Sequence, residues 1–120
     1  MKVAVSTQGK DINSVVDARF GRTLGFIIFD TESENWEFLD NSQVLNAPQG
    51  AGIQAAKHVV DAGVNVVITG HLGPNAFKAL SAAQVNAYTF KGGSVKEAID
   101  LLKKGELQSL TNPDVEGHWV

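Results

Sequence analysis

The chain alternates short apolar runs with glycine-bounded polar segments, and the period of its apolar positions changes midway. Lys2–Ser6 reads as a short strand with Val3 and Val5 on one face. Gly25–Asp30 carries Phe26, Ile27, Ile28 and Phe29 without interruption, the pattern of a strand buried on both faces. Trp36–Leu39 alternates, and the polar TESEN between these runs closes a hairpin. After Gly50 the spacing becomes helical: Ile53, Ala56 and Val60 share a face, and Gly63 suits a left-handed C-terminal cap. Val64–Thr69 follows as a buried strand. A second helix starts at Pro74, the favoured first helical position, with Ala76, Ala79, Leu80 and Ala83 on one face. Asn86–Phe90 is a fifth strand. A third helix has Ser94 as N-cap and Glu97 three residues on, a capping box, then Val95, Ala98, Ile99 and Leu102 at i, i+3, i+4 and i+7, and stops at Gly105. The closing LQSLTNPDVEGHWV lacks periodicity. The expected organisation is one α/β domain over residues 1–107 and a mobile or loosely docked tail over 108–120.

Three strands, helix, strand, helix, strand, helix predicts a mixed five-stranded sheet with three helices. If strands one to three form an antiparallel meander, the first and third run the same way, and right-handed crossovers add the fourth and fifth parallel to them. Four strands then end at one edge of the sheet. STQGKD, DARFGR, NAPQGAGIQ, TGHLGPNA and FKGGS converge there with the start of every helix. Open α/β sheets place ligands in that crevice, and helix N-termini supply N–H donors and partial positive charge. Lys10, Arg19, Arg22 and Lys91 stand there against Asp11 and Asp17, a balance that favours an anion. Glycine also serves turns for purely structural reasons, and Phe20 between the two arginines is expected to pin its loop to the core. The candidate binding residues are therefore Arg19 and Arg22 for charge, backbone at Gly50, Gly52, Gly70, Gly73 and Asn75, and His71 as donor or single reversible metal ligand.

At 120 residues the chain can bury a continuous core without disulfides or structural metal. Its formal charge of -3 gives no general attraction to nucleic acid or to an anionic membrane, although a small basic site can sit within an acidic surface. The absence of cysteine removes disulfides, thiolate ligands and a cysteine nucleophile together. MKVAVSTQGKD turns polar too early for a signal peptide, and no apolar run approaches membrane-spanning length, so a cytoplasmic protein is expected. GAGIQA (50–55) matches the glycine-rich dinucleotide fingerprint, but the next strand ends Thr69-Gly70-His71 where that fold needs an acidic residue for the ribose. The topology also resembles ribonuclease H, whose two-metal chemistry needs a carboxylate in the first strand, and VAVST offers none. His58 reads as a partly exposed helix-face residue, and His118 lies in the tail.

FGR (20–22) leading into a strand, GAG (50–52) opening a helix, GVNVVITGHLGPNAFKAL (63–80) and VKEAIDLLKKGEL (95–107) together resemble the dinitrogenase iron-molybdenum cofactor biosynthesis family, the NifX type that also forms the C-terminal domain of NifB. The resemblance spans nearly the whole chain; FGR and the G-x-x-G-P element are its most specific parts. It implies a ribonuclease H-like fold without nuclease chemistry. It further implies a carrier that holds an iron-sulfur or iron-molybdenum cofactor precursor and works with cluster-assembly proteins. Such a cofactor is polyanionic, in agreement with the anion site. A histidine ligates the cluster in some relatives, and His71 is the position the resemblance suggests. Two alternatives stay open: an enzyme acting on a phosphorylated or carboxylated small molecule, with His71 as acid or base and Asp17 as its partner, and an interaction module that docks a partner through a sheet edge or the tail.

Overall fold

Val3 and Val5 point to one side of the first strand and Ala4 to the other, and all three are fully buried, so this strand lies inside a layered core. The structure, a computed structural model, describes residues 1–45 and 50–113. Along the chain it forms β1 (Lys2–Thr7), β2 (Gly25–Asp30), β3 (Trp36–Asp40), α1 (Ser42–Leu45), α2 (Ala51–Asp61), β4 (Val66–Thr69), α3 (Pro74–Ala82), β5 (Asn86–Thr89), α4 (Val95–Lys103) and β6 (Gln108–Leu110). The sheet order is β3-β2-β1-β4-β5-β6. β1 pairs antiparallel with β2 and parallel with β4, β2 pairs antiparallel with β3, and β4 pairs parallel with β5. The predicted meander and parallel additions are therefore present, and β1, β3, β4 and β5 end at one edge.

Helices cover both faces. Ala55, Ala56 and Val59 of α2 and Ala76 and Leu80 of α3 pack on Ala4, Phe26, Ile28 and Val67. On the opposite face Val95, Ala98 and Ile99 of α4 pack on Val3, Val5, Ile27 and Ile68. Burying each large aliphatic side chain of this kind contributes about 1.5–3 kcal/mol, so the two interleaved sets on β1, β2 and β4 fix which face each helix takes. Gly63 and Gly105, with φ of 79° and 69°, close α2 and α4 as expected.

The structure corrects the sequence reading in four places. The sheet has six strands rather than five, because Gln108–Leu110 pairs antiparallel with β5, Ala87 opposite Leu110, and Leu110 packs on the core. Three residues are too few to show a period, and the open edge of β5 supplies the pairing. The described residues hold four helices rather than three, the extra one being the single turn α1. The buried face of α2 is Ala51, Ala55, Ala56 and Val59, while Ile53 is exposed; α2 meets α3 so closely that a Cβ on Gly52 would lie 3.2 Å from the Ala76 Cβ, which turns small residues inward. β4 begins at Val66, since Asn65 instead clasps Lys2: its N–H donates to the Lys2 carbonyl and its Oδ1 accepts from the Lys2 N–H, both at 2.9 Å. His118 and residues 46–49 of the NAPQGAGIQ segment lie outside the described residues. Among the described residues, no helix is long and apolar enough to cross a membrane.

Candidate functional site

Loop 8–24 crosses the strand ends from one face of the sheet to the other. Val16 sits in the α4-side core and Phe20 in the α2/α3-side core, where its ring lies 5.2 Å from that of Phe26. Phe20 thus pins the loop, as its place between two arginines suggested. Between these anchors the loop is bonded to the ends of β1 and β4: Asp17 N–H donates to the Ser6 carbonyl (2.9 Å) and His71 N–H to the Ala18 carbonyl (2.8 Å). Below them Ser6 Oγ donates to the Asp17 carbonyl (2.6 Å) and is hydrogen-bonded with Thr69 Oγ1 (2.8 Å). Thr23 Oγ1 reaches the Thr7 carbonyl at 2.9 Å.

These buried hydroxyls form a polar floor that the sequence reading did not single out. The signal was there: VAVST and VVIT are apolar strands that turn polar at the end where the loops gather. Asn41 belongs to the same floor. Fully buried, it donates from Nδ2 to the Thr23 carbonyl (3.0 Å) and accepts at Oδ1 from His58 Nδ1 (3.2 Å). A carboxamide oxygen only accepts, so His58 is protonated at Nδ1 and ties α2 to the floor.

The helix starts at this edge divide into two kinds. α4 satisfies its own: Ser94 Oγ accepts from Glu97 N–H (3.1 Å), Glu97 Oε1 from Ser94 N–H (3.0 Å), and the carbonyls of Ser14 and Ile12 take the N–H groups of Val95 and Lys96 at 2.9 Å. Gly93 likewise gives its carbonyl to Val16 N–H (2.9 Å). FKGGS is thus consumed by loop 8–24. In contrast, α2 and α3 begin at Gly50 and Gly73 with no side-chain cap, which leaves their first-turn N–H groups to other partners. Both lie on the same face as Phe20. Of the five turns expected to converge, residues 17–22, 50–53 and 70–75 remain as the candidate site.

Within it the predicted residues take different parts. Arg19 is exposed; its N–H donates to Asp17 Oδ1 at 3.0 Å and its Nε lies 3.8 Å from the same oxygen. An isolated parallel bridge pairs Arg19 with His71. Arg22 is half-buried and Asn75 exposed at the first turn of α3. His71 is partly exposed, and its Nε2 lies 3.2 Å from Lys91 Nζ. Gly70 and Gly52 serve packing: a Cβ on Gly70 would fall 2.6 Å from Ala18 Cα, and one on Gly52 would meet Ala76. Gly50, exposed, and Gly73, buried, stand at the starts of α2 and α3, neither of which has a side-chain cap. Among the described residues no three His, Cys, Asp or Glu side chains are grouped to enclose a metal ion. The arrangement offers one imidazole, cations and backbone donors, a set that can hold a preformed anionic group by one bond plus hydrogen bonds.

The chain matches the family described as dinitrogenase iron-molybdenum cofactor over residues 1–105. It is 33% identical to the orange protein of Desulfovibrio gigas, solved in its apo form, with a TM-score of 0.93 over 95% of this chain and 96% of that one. The solution structure of a candidate NifB protein from Thermotoga is 43% identical, with a TM-score of 0.84 over 97% of this chain and 98% of that one. A Methanocaldococcus jannaschii protein without an assigned function is 28% identical over 111 residues, 90% of each chain.

Proposed function

This chain belongs to the dinitrogenase iron-molybdenum cofactor family, and from that premise we propose that it is a non-enzymatic carrier for an anionic iron-sulfur or iron-molybdenum cofactor precursor. The cluster is cargo, to be received and handed on to cluster-assembly proteins in the cytoplasm. The observation that carries the reading is the meeting, at one sheet edge, of the 17–22 segment with two uncapped helix starts and His71. Arg19 and Arg22 supply positive charge. The N–H groups that follow Gly50 and, because Pro74 has none, those of Asn75 and Ala76 in the first turn after Gly73 supply donors, and His71 supplies one exchangeable metal ligand. Gly52 and Gly70 contribute by letting α3 and the 17–20 segment approach closely enough to shape the crevice. The strand order β3-β2-β1-β4-β5 supports the ribonuclease H-like likeness.

Charge-assisted hydrogen bonds contribute about 1.5–3 kcal/mol each. Three or four, less ordering costs, give affinity on the order of millimolar to micromolar. A carrier must release, and that range permits release. The acid–base alternative draws less support, because the Asp17 carboxylate is occupied by Arg19 while a lysine stands against the imidazole. Anaerobic reconstitution with iron and sulfide, or with isolated cofactor, read by absorption and metal analysis, tests the proposal. Loading of the wild type that is weakened in His71→Ala and Arg22→Ala is expected; equal loading of all three removes the assigned roles. Turnover of a phosphorylated metabolite would favour the enzyme instead.

A further inference from the structure

We propose that Lys91 is a positioning residue for His71: its ammonium holds the imidazole in the tautomer protonated at Nδ1, so that Nε2 carries the lone pair offered to the cargo. β4 and β5 are parallel and in register, with Thr69 opposite Thr89. His71 and Lys91 each follow that pair by two residues, so equal offsets from a shared register bring their side chains together. Two bonds lock the register at its end: Phe90 N–H donates to the Thr69 carbonyl (3.0 Å), and Thr89 Oγ1 to the Gly70 carbonyl (3.0 Å). From the other side the Ala18 carbonyl fixes His71 through its N–H at 2.8 Å.

The contact of 3.2 Å between Lys91 Nζ and His71 Nε2 has a chemical direction. An ammonium has three donors and no acceptor, so Nε2 must accept, and the proton of the neutral ring resides on Nδ1. In water a neutral histidine side chain favours the opposite tautomer, and the contact with Lys91 acts against that preference. The consequence for loading rests on the carrier reading above. A metal atom of the cluster can form its bond to Nε2 as the hydrogen bond from Lys91 breaks, and no proton leaves the ring. Lys91 is exposed on a flexible stem, so it can withdraw while its charge stays beside the anion.

The test begins on the unloaded, nitrogen-15-labelled protein, by long-range proton–nitrogen NMR at a pH where the rings are neutral. The expected spectrum shows His71 Nε2 as the unprotonated nitrogen in the wild type and in Lys91→Arg, and a shift toward protonated Nε2 in Lys91→Met. His58, held at Nδ1 by Asn41, is the internal control and should not respond. Iron and sulfide loading of Lys91→Met should then weaken by about two- to fivefold, the scale of one exposed charge contact. A wild-type His71 protonated at Nε2, or a tautomer unchanged in Lys91→Met, overturns the positioning role; so does a reversed tautomer with undiminished loading. Failure of the carrier reading looks different: the wild type itself takes up no cluster, and the spectra of the unloaded protein still decide the tautomer.

Discussion

Replacing Gly70 by alanine tests whether the loop above the strand ends is clamped as described. An added Cβ would lie 2.6 Å from Ala18 Cα and 2.8 Å from both its Cβ and its carbonyl oxygen. Non-bonded carbons rest at about 3.5–4.0 Å, so the loop must move by about an ångström. Gly70 is not among the glycines with positive φ; the cost is therefore steric rather than conformational. Moving Ala18 away lengthens the 2.8 Å bond from His71 N–H and pulls on the Ser6–Asp17 contacts beside it. Overpacking at about 1–3 kcal/mol plus one backbone hydrogen bond at about 0.5–1.5 kcal/mol gives about 1.5–4.5 kcal/mol. For a chain of this length 1 kcal/mol is about 4 °C, so Tm should fall by about 6–18 °C. Gly63→Ala is the control, since φ there is 79° and nothing lies within 4 Å; backbone strain alone should cost about 1 kcal/mol, or about 4 °C. Melts followed by circular dichroism, with amide exchange at His71, measure both. A Gly70→Ala protein that melts with Gly63→Ala and keeps its His71 amide protected would refute the clamp.

Ser94→Ala removes the capping box of α4 and should cost about 1 kcal/mol, with faster exchange at Glu97 N–H, which the serine hydroxyl now holds at 3.1 Å. Asn41→Ala strips a fully buried side chain from the Thr23 carbonyl and His58 and should lower the urea midpoint by an amount equivalent to about 2–3 kcal/mol. Ile99→Ala, emptying a nearly fully buried site under α4, should cost about 2–5 kcal/mol with an unchanged urea slope. The carboxyls of Asp30 and Asp40 are held below the ordinary range by hydrogen bonds from the N–H groups of Glu32 and Ser42 respectively. Folded values lower than unfolded ones mean that both stabilise fully above pH about 4 and lose that contribution as acid protonates them below it. Stability of the Asp30→Ala, Asp40→Ala double variant should accordingly fall less steeply over that acid range, as read by urea unfolding against pH.

Features that depend only on neighbours along the chain were legible before any packing was known. The apolar runs of β1 and β2, the alternating Trp36–Leu39 of β3, the apolar spacing of α4, its Ser94–Glu97 box and the glycine stops at 63 and 105 are local, and each is where the spacing placed it. Strand and helix order with right-handed crossovers then required four strands to end at one edge. Tertiary contacts decided the rest. Leu110 finds its strand only because the edge of β5 lies open to it, and Ile53 turns outward only because Gly52 lets α2 press on α3. The same holds at the site. Whether a helix start is closed, as at α4, or left without a cap, as at α2 and α3, depends on which distant carbonyls reach it. Lys91 meets His71 through a register between strands twenty residues apart. Local patterning encodes which face of an element is apolar; the partner of each donor and the neighbour of each charge are fixed only when the elements pack.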